Sequence, residues 1–501
     1  MGQIRKQTIF SSLVIYIGFV IGFINTYLYV KNGTFTTEQY GLVQLFGVLG
    51  ITFYSFASFG VGSYIFKFHP FYKQNLSDNE NDQPAVSVAI VTVGFILVVI
   101  AAILFKPLFI RKYSGNSRLL ISYYYWILPY AFGLLYFTVF EGFAWFAQKG
   151  IFTNFLKETA IRLFQSIIIV CFIAGLISFS TFIKAFSFSF LLITSLLLWH
   201  LVRSNNIHFN FKISRVTRKF HKKFLWLMTL IYGSVIVNTL AQYVDSIIIA
   251  SISKGGLKDV GVFTLATFIT TTIQVPQRGI LAAVLPVLSN SWKSKNYNEI
   301  RRIYSRTSIN LLLLALLIFF NIWINIHDLF TVAKINIDYE AGTFVILILG
   351  ISKIIDAGTG VNSQIIGTSN LWKFEVFTGI MLLAVSIPLN YFLVKRFGIN
   401  GSAISNLIAF GLYNIVRLVF IWVKFKMQPF SIKTLYAIIS ALLIYAACFF
   451  LFRNLNNLLG IIIRSFFFTS AFVLSIFILK LTPDAFQLLD LAKEKFRRRN
   501  A

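Results

Sequence analysis

The stretch RSNNIHFNFKISRVTRKFHKK (203–223) carries seven Lys/Arg and no acid, and long apolar segments flank it on both sides. On a soluble chain, a basic run with His and Phe interleaved points to nucleic acid. Between membrane helices the same run resists translocation and stays on the cytoplasmic side. The flanking apolar segments select the second reading, so no nucleic-acid partner is expected. The run fixes the orientation of its neighbours and divides the chain into two halves.

Composition agrees. The chain has 501 residues, 57% of them hydrophobic and only 12% charged, with mean hydropathy +0.77. So few charges cannot cover a soluble protein of this length, whereas a lipid-embedded surface needs none. The net charge of +28 suits cytoplasmic loops against anionic headgroups, and also an anionic substrate. Cys171 and Cys448 both lie in apolar segments without a CxxC, which points to neither a disulfide nor a metal site. The start, MGQIRKQTIFSSLVIYIGF, runs from basic to apolar without a small-x-small cleavage site. It reads as a first transmembrane helix.

A membrane-crossing helix needs about 20 mostly apolar residues. About fourteen segments qualify. The first seven are 8–30, 39–66, 85–105, 119–146, 152–177, 181–202 and 224–252. The others are 260–288, 304–326, 341–367, 371–394, 399–423, 432–452 and 461–481. The expected fold is therefore all-α and polytopic. Residues 1–202 form an N-terminal lobe, 203–223 a basic linker and 224–424 a C-terminal lobe. Residues 425–501 hold two further helices and a basic tail. An even number of spans puts both termini on one side, and the Lys/Arg bias makes that side cytoplasmic. The segment 106–118, with Lys106, Arg111, Lys112 and Arg118, breaks the bias locally by placing four cations outside.

A weak repeat crosses the basic run. EQYGLVQLFGVLG (38–50) and KDVGVFTLATFIT (258–270) each place a glycine before a helix rich in small and aromatic residues. Each lies at the second helix of its half, as in a parallel six-helix repeat around a transporter cavity.

Several stretches also resemble polysaccharide-export flippases of the Wzx type, a branch of the superfamily that includes the lipid II flippase and multidrug extruders. They are TTEQYGLVQLF, SFASFGVGSYIFKF, VDSIIIASI, QVPQRGILAAVLPVLS and SIPLNYFLVKRFGINGSAISNLIAFGLYNIVR. In the last, "PLN" precedes a "GINGSAI" turn between two helices. The resemblance covers nearly the whole chain loosely, and no single motif is diagnostic. It implies two pseudo-symmetric six-helix lobes plus two C-terminal helices, and alternating access in the bacterial inner membrane. It also implies export of a polyprenyl-pyrophosphate-linked oligosaccharide, an O-antigen, capsule or exopolysaccharide unit, alongside polysaccharide polymerase machinery. The rival within the superfamily is a cation-coupled multidrug extruder.

Ionisable residues inside a bilayer are costly and mark pathways or partners. Arg278 lies deep in its span between Pro276 and Pro286, where proline frees carbonyls and bends a helix. An arginine there suits a phosphate. Lys353 and Asp356 share a helix face, either neutralising each other or dividing substrate and H+ or Na+ contact. Arg417 either snorkels to the interface or faces a cavity. Asp245 is a candidate for ion coupling or a salt bridge, and Glu141 an acid near a helix end awaiting a basic neighbour. Asn238, Gln242, Thr270 to Thr272, Gln274, Asn362, Gln364 and Asn390 bond between helices or line a wet path. No P-loop, HExxH or GxSxG occurs, so neither nucleotide, cofactor nor enzymatic chemistry is expected. The short external loops argue against a glycan polymerase or ligase.

Overall fold

A computed structural model of the chain describes residues 2–487 and 490, with side chains from residue 14 onward except at 278, 282 and 283. Every regular element among the described residues is helical, and the protein is a multi-pass membrane protein. The chain packs as two compact units that divide after Gly261.

The first unit runs through α1 (Gly2–Val30), α2 (Thr37–Ala57), α3 (Val61–Asn75), α4 (Gln83–Leu104), α5 (Lys106–Tyr113), α6 (Arg118–Ser122) and α7 (Ile127–Phe146). It continues with α8 (Gly150–Asn154), a π-helical segment Phe155–Ala160, α9 (Ile161–Ile173), α10 (Phe179–Ser187), α11 (Ser189–Arg203) and α12 (Arg215–Ile252). Helix α13 (Leu257–Thr271) begins there and carries on into the second unit. A 3-10 turn, Thr272–Gln274, then leads to α14 (Val275–Lys293), α15 (Tyr297–Val332), α16 (Thr343–Gly358) and α17 (Asn362–Thr368). The chain closes with α18 (Lys373–Phe425), α19 (Ile432–Leu451) and α20 (Asn457–Ile478).

Among the described residues, ten helices are long and apolar enough to cross a bilayer. The four other expected spans are present in altered form. The first has a shorter apolar part, Val14–Val30. The fifth is divided by the π-helical segment, and the eighth by the 3-10 turn at Thr272–Gln274. The twelfth is the second half of α18, separated from the first by Gly398 at φ 58°, ψ −138°. Only glycine reaches that backbone readily, and Gly401 then packs against the carbonyl of Leu393. The turn expected at GINGSAI thus forms.

The second span, drawn as 39–66, is broken. A capping box between Thr36 and Gln39 starts α2. Phe59 (φ 45°) and Gly60 (φ 71°) stop the helical path, and Gly94 of α4 packs onto the buried Ala57 carbonyl. Hydropathy is blind to the sign of φ, which is why the break was not visible in it.

The basic stretch 203–223 is only half loop. Ser214 accepts from the Thr217 amide at 3.2 Å and caps α12, so residues 215–223 are helical. The stretch is also docked: the Ser214 amide donates to Asp82 Oδ2 at 2.8 Å, and Arg215 donates to the Asn75 carbonyl at 2.8 Å. Beneath it lies an aromatic core of Tyr64, Phe68, Tyr72, Phe140, Phe143 and Phe224. In α14, Pro276 occupies the first turn, where no amide donor is needed. It therefore starts that helix rather than bending one, and only Pro286 is interior.

Candidate functional site: a buried polar network at an interrupted helix

The tenth expected span, 341–367, stops at Gly358 and restarts at Asn362. Gly360 sits at φ 69°, and a Cβ there would lie 3.1 Å from the Ser308 backbone. Ser308 donates its hydroxyl to the Gly358 carbonyl, satisfying an acceptor that the break leaves open. A break at membrane depth is tolerated where side chains re-satisfy the backbone, and such breaks are where transport sites are built.

Two acids meet the network here. Asp356 accepts from Gln274 Nε2 at 2.8 Å and from Asn414 Nδ2 at 3.2 Å. Asn414 in turn accepts from Thr359 Oγ1 at 3.0 Å and Asn362 Nδ2 at 2.9 Å. One turn further along α18, Arg417 is ion-paired with Glu375, in the first turn of the same helix. Ser363 Oγ donates to Glu375 Oε1 at 2.8 Å, and Arg417 Nε donates to Thr378 Oγ1 at 3.3 Å. The guanidinium lies over the Tyr413 ring at 3.6 Å, a cation–π contact that strengthens away from water. The Arg417 side chain is 3% exposed, so its charge is held inside the protein. Glu375 Oε2 is buried with no hydrogen-bond partner among the described residues. Lys353, one turn before Asp356, has its ammonium 5.8 Å from the Phe410 centroid.

Asp356 and Arg417 thus belong to one network on α16 and α18, with Gln274 joining from the 3-10 turn, while Lys353 lies one turn before Asp356 beside Phe410. The Arg278 side chain lies outside the described residues; its backbone is in the first turn of α14, four positions after Gln274. Asp245, on α12, and Glu141, on α7, belong to the first unit. Glu141 is buried and pairs with Lys157 at 3.2 Å. Asn238 is turned back onto the Ser234 carbonyl, and Asn390 reaches Ser402 across the Gly398 turn.

Sequence reading overlooked Glu375, Asn414, Thr359 and Ser363. Asn414 had a signal, since it precedes Arg417 by one turn. Glu375 is 42 positions from Arg417, and nothing local connects them. The expected spans also contain Lys157, Arg162, Lys184, Arg306, Lys373, Lys433, Arg464 and Lys480, beyond the three cations singled out. Arg464 is ion-paired with Asp328 and donates to the Ile324 carbonyl at 3.3 Å.

Residues 231–392 match the MatE family model, about the middle third of the chain, and no curated protein matches the sequence. The fold is shared with solved structures. A lipid II flippase MurJ in an inward closed conformation is 15% identical with TM-score 0.75, over 94% of this chain and 98% of that one. An inward-facing multidrug resistance MATE family transporter of the MOP superfamily is 16% identical with TM-score 0.61, over 82% and 97%. A MOP superfamily transporter from Pyrococcus furiosus gives 16% and 0.53, over 83% and 94%. At these identities the likeness concerns the fold.

Proposed function

We propose that this chain is a flippase that carries a polyprenyl-pyrophosphate-linked oligosaccharide across the bacterial inner membrane by alternating access. The reading rests on one observation: a fold shared with a lipid II flippase over 94% of the chain holds a buried, charged network at an interrupted helix. Charges in such a place are costly even when paired, and where they are kept they mark substrate or ion pathways. In this reading Arg278 meets the pyrophosphate, with Lys353 adding charge nearby. Asp356 and the Arg417–Glu375 pair carry the coupling to H+ or Na+. Asp245 and Glu141 are further coupling candidates in the first unit. Both termini lie in the cytoplasm, and the glycan is an O-antigen, capsule or exopolysaccharide unit handed to a polymerase.

A cation-coupled multidrug extruder is the second reading. The MatE match over residues 231–392 favours it, as does the presence of buried acids. Translocation of a fluorescent polyprenyl-pyrophosphate oligosaccharide in proteoliposomes, alongside efflux of a cationic dye, separates the two. Wild-type flipping that Arg278→Ala abolishes supports the flippase reading. Dye efflux without lipid flipping overturns it.

A further inference from the structure

The first unit contains an open groove of about 1120 Å³ that the proposed transport site does not use. Its walls are apolar, with Phe53, Phe56, Leu97 and Phe105 prominent, and at its rim stand Arg111 and Lys112. Leu97 and Phe105 are exposed at 51% and 59%, so the groove opens outward from the unit. Its inner end is built from the broken second span. Phe59 stacks edge-on against Tyr232 at 5.3 Å, and the Tyr232 hydroxyl donates to the Phe56 carbonyl at 2.8 Å. Gly94 closes the floor against the Ala57 carbonyl.

The dimensions fit one leaflet. Gly94 is midway along α4 (Gln83–Leu104). From Gly94 to the end of α4 the helix rises about 15 Å, half of a hydrocarbon core of about 30 Å. The rim cations on α5 therefore stand at headgroup level while the groove stops near the bilayer midplane. No Asp or Glu occurs between Asp82 and Glu141, while Lys106, Arg111, Lys112 and Arg118 all do. In the proposed orientation these four cations oppose the positive-inside bias, so topology does not account for them.

We propose that this groove holds one anionic phospholipid of the leaflet at the C-terminal end of α4. Its phosphate rests on Arg111 and Lys112, and one acyl chain runs over Leu97 towards Gly94. The cations supply complementarity to the phosphate, with the arginine offering a bidentate fork. The closed inner end limits the occupant to a chain of about one leaflet, which suits an acyl tail better than a longer polyprenyl tail. The inference does not depend on the transported substrate.

Native mass spectrometry of the full-length chain in detergent, titrated with phosphatidylglycerol or phosphatidylcholine, tests it. Wild type should retain phosphatidylglycerol in preference. The exposed double substitution R111Q/K112Q should weaken that retention roughly ten- to thirtyfold, to the phosphatidylcholine level. Leu97→Trp, which fills the groove, should lower retention of both lipids. Equal phosphatidylglycerol retention by wild type and the double variant would overturn the proposal. So would displacement of bound phosphatidylglycerol from wild type by equimolar polyprenyl phosphate, which would give the groove to an isoprenoid.

Discussion

Gly41 and Gly261, the equivalent glycines of the weak sequence repeat, pack against each other backbone to backbone. A Cβ on Gly41 would collide with the Leu257 carbonyl oxygen and come within 3.0 Å of the Gly261 amide. A Cβ on Gly261 would lie 2.5 Å from the Thr37 carbonyl oxygen and 3.3 Å from the Gly41 amide. The contact is reciprocal: each glycine supplies the flat face that the other needs. Small residues that admit a close backbone approach are how helices associate without a hydrophobic driving force.

Gly41→Ala and Gly261→Ala should each destabilise the protein by about 1–3 kcal/mol, as overpacking does. Thermal unfolding in detergent measures it. Gly411→Ala, where a Cβ meets nothing within 4 Å, is the control and should leave the melting temperature unchanged or slightly raised.

Glu375→Gln should destabilise by about 3 kcal/mol, because it strands the buried Arg417 charge. The double substitution Glu375→Leu/Arg417→Leu should recover much of that loss, since it removes both charges together. A double variant as unstable as the single one would show that the pair is not what holds this part of the fold.

Asp356→Asn keeps the shape of the side chain and removes its charge. In proteoliposomes, gradient-driven transport should fall at least about tenfold, the scale of losing a coupling interaction of 1–3 kcal/mol. Exchange without a gradient should persist. Equal loss of both would assign Asp356 to structure.

Gly360→Ala should be costly by about 1–3 kcal/mol, because an alanine at φ 69° is strained and its Cβ crowds Ser308. Unfolding temperature and transport should fall together, because the break positions Thr359 and Asn362.

His69, on α3 outside the spans, hydrogen-bonds Gln83 at 2.9 Å and stacks on Phe146 at 4.1 Å. Burial lowers its pKa from the ordinary 6.5. The unfolded chain therefore binds the proton first as pH falls. Stability should be full above about pH 6.5 and decline as pH drops from there towards the folded value. His69→Gln should flatten that decline in melts from pH 7.5 to 5.

Several features could be read without coordinates because their causes are local. Apolar runs separated by charge make membrane helices wherever they occur. Gly398 in GINGSAI forces a turn because only glycine takes its backbone. The wrong boundaries share one cause: α3, α12 and α15 extend beyond the apolar layer, and hydropathy measures the layer rather than the helix. The breaks at Phe59–Gly60 and Thr272–Gln274 fall among serine, threonine, glycine and glutamine residues that an unbroken membrane helix also accommodates, so composition does not mark them.

The site divides in the same way. Sequence alone identified the all-helical membrane fold and picked out Lys353, Asp356 and Arg417, because a charge in an apolar run is anomalous wherever it points. Tertiary structure alone decided that Arg417 meets Glu375, that Asp356 takes its bonds from Gln274 and Asn414, and that Gly41 touches Gly261. A hydrophobic pattern sets which segments enter the membrane through the sum of many weak terms. Which polar group meets which depends on single backbone breaks and helix rotations, and these follow from packing between segments far apart in the chain.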